Sequence, residues 1–251
     1  MRITDRDREL LAFLASHRLA LAVHVQALLG VSADVARTRL GALAREGLVN
    51  KERIFDRQPA CYLITRKGLA AIDSELPTPR LDLRFYEHDI GLAWLWLYAR
   101  SGSFGSLEEI RSERQMRSLD ASSEGPAEPL AVRLGGVGPG GRERLHYPDL
   151  LLTSSGGHRI ALELELSSKG RTRRERILAG YAADARVDAV VYLVRHPQVV
   201  RSVRGTAAKL GISAMVHVQP VRSSAALAGA GSDAPASRMR TARGGAQAAA
   251  R

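Results

Sequence analysis

The stretch from His146 to Lys169, HYPDLLLTSSGGHRIALELELSSK, constrains the fold more than any other part of the chain. Between Ile160 and Leu166 the side chains alternate: Ile160, Leu162, Leu164 and Leu166 face one way, while Ala161, Glu163 and Glu165 face the other. A period of two belongs to a β-strand, here half-buried and carrying two carboxylates on one face. Asp149 to Thr153 is a second apolar run, and Ser154-Ser155-Gly156-Gly157 supplies turn residues between the two, so the pair reads as a β-hairpin. With Ser154 opposite His158, Leu150 and Leu152 fall opposite Leu162 and Ile160, and Asp149 falls opposite Glu163. A slip of one residue would carry Asp149 onto the leucine face, which burial disfavours.

Asp149, Glu163 and Glu165 then share one face, and neighbouring carboxylates repel unless something cationic sits among them. One resolution is Mg²⁺, which uses one or two carboxylates plus waters and substrate phosphate. The other is a solvated sheet face whose acids pair with Arg or Lys from a neighbouring helix. Arg171, Arg173, Arg174 and Arg176 follow directly. They grip phosphate beside a metal in the first case and neutralise Glu163 and Glu165 in the second.

Pro148-Asp149 followed by Glu163-Leu164-Glu165 resembles the PD-(D/E)xK nuclease superfamily. The resemblance implies that Asp149 and Glu163 hold a metal ion. In that family a lysine assists the attacking water. Here Glu165 stands at the lysine position, and Lys169 is the nearby lysine that reaches back, so the implied catalytic set is Asp149, Glu163, Glu165 and Lys169.

Upstream, Thr4 and Asp7 make a capping-box start for a helix with Leu10, Leu11 and Leu14 on its apolar face. A second helix fits Val23 to Leu29, ended by Gly30, and Ser32 caps a third from Ala33 to Glu46. Leu48 to Phe55 and Ala60 to Thr65 read as a strand pair. Three helices and a hairpin predict a winged helix-turn-helix, in which the third helix enters the major groove and the wing touches backbone. Arg37 and Thr38 are the expected base-edge contacts, and Arg45, Lys51, Arg53 and Arg57 the expected phosphate contacts; a winged helix used for protein contact is the alternative. A helix from Gly68 to Leu76 follows, and Pro77 and Pro79 mark a linker.

The expected fold class is therefore mixed α/β. A winged helix-turn-helix at 1–76 and a linker at 77–86 precede an α-β-β-β-α-β domain at 87–220, with a basic disordered tail at 221–251. Within the second domain, Glu87 to Arg100 reads as a helix with Trp94 and Trp96 in the core, and Leu107 to Met116 as a strand exposing Glu113. Residues 120–145, rich in Gly, Pro, Ser and Glu, read as a flexible insertion. Arg171 to Arg186 forms a helix with Ile177, Leu178 and Tyr181 inward. Asp188 to Val194 is a buried strand, Val199 to Leu210 a helix and Ser213 to Val218 a last strand. His88 and His146 are at most auxiliary.

Composition bounds the partners. The 251 residues carry a formal charge of +11, which points to a polyanion, most commonly nucleic acid. Cys61 is the single cysteine, which excludes an internal disulfide and a cysteine-rich zinc site. No apolar run reaches membrane-spanning length, and MRITDRDREL lacks a signal-peptide core, so a cytoplasmic protein without a membrane partner is expected.

The winged helix, His88, Ser112-Glu113-Arg114, Tyr147-Pro148-Asp149, Glu163-Leu164-Glu165 and Tyr181 together resemble the replication-relaxation family of plasmid and mobile-element proteins. That resemblance implies double-stranded DNA binding in plasmid replication or conjugative mobilisation. It adds Glu113 to the acidic, metal-facing set and a relaxase or replication protein to the partners. A non-catalytic winged-helix regulator whose second domain dimerises or senses a ligand is the rival reading, and a homodimer stays open because no helix carries an unmistakable dimer seam.

Overall fold

The computed structural model describes residues 2–122, 128–167 and 170–221. It is mixed α/β, with a small three-stranded sheet near the N-terminus, a central five-stranded sheet and a two-stranded hairpin. Lys169 and residues 222–251 lie outside the described residues, as does the 123–127 part of the expected insertion.

The N-terminal unit begins with α1 (Asp5–Ser16), where the Thr4 backbone N–H donates to Asp7 Oδ2 at 2.8 Å and Thr4 Oγ1 accepts from the Asp7 N–H at 3.3 Å. Strand β1 (Ala20–Leu21), α2 (Ala22–Leu29) and α3 (Ala33–Arg45) follow, then β2 (Val49–Glu52), β3 (Cys61–Ile64) and α4 (Arg66–Ala70). The sheet order is β1-β3-β2, all antiparallel. The two-residue β1 is too short for sequence periodicity to register. Helix α4 is shorter than expected: Thr65 caps it at Gly68, and Asp73 takes a positive φ where the chain leaves it. Asp7 also pairs with Arg39, which ties α1 to α3. Burial raises the Asp7 carboxyl, but hydrogen bonds from Arg39 and Thr4 outweigh it and leave the group below its ordinary value.

Helix α5 (Tyr86–Arg100) has no polar face, because both of its sides are covered. Tyr86, Ile90, Ala93, Trp94 and Leu97 pack with the N-terminal core, whereas Leu95 and Ala99 pack with Leu150, Leu152, Leu162 and Leu164 of the central sheet. Gly91 permits the close approach: a Cβ there would stand 2.6 Å from Leu164 Cδ2. The boundary expected between a domain at 1–76 and another at 87–220 is thus bridged by a helix common to both cores, and the 77–86 linker is held in place by Arg114, which donates to the Pro77 carbonyl.

The central sheet runs β10-β9-β8-β7-β4. Its strands are β4 (Leu107–Ser112), β7 (Leu150–Ser154), β8 (Arg159–Glu165), β9 (Ala189–Val194) and β10 (Val216–Pro220). Leu150 pairs with Leu162 and Leu152 with Ile160, and the Ser154 N–H donates to the His158 carbonyl at 2.9 Å, the register set by the leucine face. The strand is not half-buried, however. Helix α5 covers the leucine side, while α7 (Arg171–Ala183) and α8 (Pro197–Lys209) pack on the side that carries Ala161. Glu163 and Glu165 are therefore enclosed at 0% and 1% exposure. Parallel β8-β9-β10 pairing requires the crossover helices that cover this face.

Between β4 and β7 the structure departs from expectation. The strand stops at Ser112, whose side chain caps α6 (Glu113–Ala121), so Glu113 is the first residue of a helix. Part of the expected flexible insertion is ordered: β5 (Val132–Val137) and β6 (Glu143–His146) pair antiparallel. The glycines at 135, 136, 140 and 141 adopt positive φ around the hairpin turn. Leu130, Ala131 and Val132 are buried, and a Cβ at Gly180 would stand 2.9 Å from the Arg133 carbonyl, so α7 is shaped to receive this hairpin. A composition rich in glycine concealed that burial.

Candidate functional site

The three acids of the hairpin occupy different environments. Glu163 Oε1 accepts from Tyr181 Oη at 2.6 Å and lies 2.6 Å from His146 Nε2. Tyr181 comes from α7 and His146 from the end of β6. Burial, and then the Glu163 charge, push the Tyr181 hydroxyl well above its usual range, so it remains the donor. Tyr192 is raised in the same way by burial and by Glu163 and Glu165.

Glu165 is held by Arg174: Nη2 donates to Oε1 at 2.6 Å and Nε to Oε2 at 3.2 Å. Arg174 Nη1 donates to Ser202 Oγ of α8 at 2.9 Å. Buried charges persist only when paired and hydrogen-bonded, and this two-pronged contact meets that condition for both partners. Glu165 is accordingly held in place by a guanidinium while it lines the same cleft as Asp149, and Arg174, with 4% exposure, is buried rather than presented at the surface as a DNA contact would be. Of the two resolutions for the acidic face, pairing with arginine from the next helix holds for Glu165, although the face is enclosed rather than solvated.

Asp149 sits where β7 begins. Its Oδ2 accepts from the Leu164 backbone N–H at 2.7 Å and lies 3.2 Å from His88 Nε2 of α5. Asp89, next in the same helix, is buried, and burial pushes its carboxyl up to about 6 against the pull of Arg18 and His88. Arg18 reaches Asp89 at 3.6 Å and Glu113 at 3.4 Å. Glu113 also takes Arg117 at 2.8 Å, so it is half-buried between two arginines rather than exposed on a strand and turned toward Glu163.

Among the described residues, no group of three or more His, Cys, Asp or Glu side chains is arranged to hold a metal ion. Glu165 and Glu113 are paired to arginines, whereas Asp149 is held by the Leu164 N–H and His88, and Glu163, fully enclosed, by Tyr181 and His146.

Sequence reading gave His88 and His146 at most an auxiliary role, placed Tyr181 in the core and in the family resemblance, and did not single out Arg18 or Asp89. His146 stands next to Tyr147-Pro148-Asp149 and was the one locally visible signal; the rest arrive from elements far away in sequence.

Asp149 and His88 line a cleft of about 940 Å³ whose wall includes Phe55, Asp56 and Gln58 of the β2–β3 loop. Arg117, Arg173 and Arg195 also line it. Elsewhere, Arg37, Thr38 and Arg45 on α3 and Lys51, Arg53 and Arg57 on the hairpin are all exposed, with Arg37 drawn to Asp34 one turn earlier. Arg171 is exposed and paired to Glu175 at 2.8 Å, and Arg173 is exposed at the cleft. No helix among the described residues is long and apolar enough to cross a membrane. Comparison of the chain with family models, with curated proteins and with solved structures finds no match.

Proposed function

We propose that this is a double-stranded DNA-binding protein whose N-terminal unit acts as a winged helix and whose central sheet presents a nuclease-like site to the bound DNA. The observation that carries this reading is the shared cleft: the tip of the β2–β3 hairpin and the Asp149 carboxylate line the same opening. A strand between α1 and α2 pairs with the hairpin, as a winged helix requires, and the six side chains expected at DNA on α3 and the wing are all exposed. The net charge of +11 favours a polyanion, and the motif resemblance to the replication-relaxation family supports a cytoplasmic role in plasmid replication or mobilisation.

Binding of a labelled duplex, followed by anisotropy across a salt series, tests the proposal. A steep loss of affinity with salt, weakened by Arg45→Ala and Lys51→Ala, supports it; salt-insensitive or absent binding removes it.

A second reading, metal-assisted strand nicking, draws on one feature: Asp149 lines the cleft alongside Arg117, Arg173 and Arg195. In that reading Asp149 and Glu163 hold Mg²⁺, which supplies Lewis-acid stabilisation of phosphate charge. The chain's own groups position these acids, through Tyr181 and His146 on Glu163 and the Leu164 N–H on Asp149. Supercoiled plasmid nicked with Mg²⁺ by the native protein and not by Asp149→Ala or Glu163→Ala establishes the activity. Tight binding without nicking favours the non-catalytic regulator.

A further inference from the structure

The cleft has a chemistry that a duplex does not require. Large apolar side chains are normally turned inward, yet Phe55 and Phe85 are 42% and 45% exposed at this one opening. Each is held by a neighbour rather than left loose: Phe55 packs edge-on to Tyr86 with centroids 5.2 Å apart. The guanidiniums of Arg84 and Arg18 lie 5.8 and 6.0 Å from the Phe85 centroid. A third ring, Tyr147, has Arg117 stacked at 4.2 Å, and Arg173 and Arg195 complete the basic lining. Two of these arginines are shared with cleft acids, Arg195 with Glu87 at 2.8 Å and Arg117 with Glu113, and would exchange them for phosphate, whereas Arg173 is exposed at the opening.

Aromatic faces interleaved with arginines are what unpaired bases recognise. Each base stacks on a ring whatever its identity, while the cations follow the backbone. Bases inside a duplex are already stacked on each other and offer no face. A protein-peptide groove would call for a continuous apolar floor, whereas this floor carries Asp149, His88 and His146.

We propose that this cleft binds a single-stranded segment of DNA, with Phe85 and Phe55 as base-stacking platforms and Arg117, Arg173 and Arg195 at its phosphates. The inference rests on the DNA-binding reading and deepens it: the winged helix holds duplex while the cleft takes the strand that has been opened beside it.

The test uses the full chain, a fluorescein-labelled 15-nucleotide oligothymidine and a blunt duplex, both measured by anisotropy. Phe85→Ala is expected to weaken oligothymidine binding by about 5- to 150-fold, the loss of one stacked base, with duplex binding unchanged. Phe85→Trp is expected to retain oligothymidine binding and to show tryptophan quenching when it is added. Circular dichroism checks that both variants are folded. Native protein that binds duplex but not oligothymidine overturns the cleft proposal alone, as does an unaltered oligothymidine affinity in folded Phe85→Ala. Equal losses on both ligands also overturn it, because the ring would then serve the fold or the duplex. Failure of the native protein to bind either ligand removes the DNA-binding reading as well.

Discussion

Replacing Glu165 by glutamine separates a structural acid from a catalytic one. The substitution keeps the side chain's shape and removes its charge, which takes from the buried Arg174 guanidinium the carboxylate that it meets through Nη2 and Nε. Removing one member of a buried ion pair typically costs about 3–5 kcal/mol, whereas replacing both members by apolar groups of similar volume is often neutral or stabilising. Taking about 4 kcal/mol and a urea slope of about 2.5 kcal/mol per molar, the unfolding midpoint of Glu165→Gln falls by about 1.5 M. The double variant Glu165→Met with Arg174→Met is expected to recover most of that loss. Urea unfolding followed by far-ultraviolet circular dichroism reads both values at pH 7. A Glu165→Gln protein that loses less than about 1 kcal/mol refutes the reasoning, since the pair would then not be desolvated as the geometry requires.

Three further outcomes follow from the same contacts. Burial pushes His17 down to about 4 and His24 down to about 3. Their neutral forms are thus favoured on folding, and the stability they confer is present above pH 6.5 and lost as pH falls through that value toward the folded values. At pH 5 each costs about 2 kcal/mol relative to pH 7 or above by linkage, so thermal melts should drop steeply between pH 7 and 5, and His17→Gln should remove about half of the drop. Tyr181→Phe deletes the hydroxyl that donates to Glu163 at 2.6 Å, a charge-assisted bond, and should lower stability by about 1.5–3 kcal/mol in the same urea assay. On the proposed DNA-binding reading, Arg53→Ala weakens binding about equally across sequences and reduces the salt slope by about one, while Arg37→Ala relaxes sequence preference, as competition anisotropy with altered sites would report.

Some of this was legible because it is local. The capping box at Thr4 and Asp7, the stop at Gly30 and the cap at Ser32 depend on residues within one turn, and the hairpin register depends on which face of a two-residue period is apolar. Apart from β1, α6 and the β5–β6 hairpin, the order of helices and strands followed from these periods, and so did the proximity of Asp149 to the Glu163 strand. The ordered β5–β6 hairpin escaped because its glycines serve positive-φ turns and close contact with α7, uses that composition alone does not separate from disorder. The helix at Glu113 escaped because Ser112 and Gln115 form their capping box directly after a strand, with no break in polarity to mark the change.

The sequence by itself determined which residues are acidic, which face of β8 they occupy and where the chain turns, because those are properties of neighbours along the backbone. Only the tertiary structure decided what each acid does. Glu163 and Glu165 sit on the same strand face two residues apart, yet one meets a tyrosine and a histidine and the other an arginine, since α7 places Tyr181 and Arg174 over different points of the sheet. The physical reason is that a carboxylate's role is set by the charges and donors packed around it in a low-dielectric interior, and those partners arrive from elements far apart in sequence.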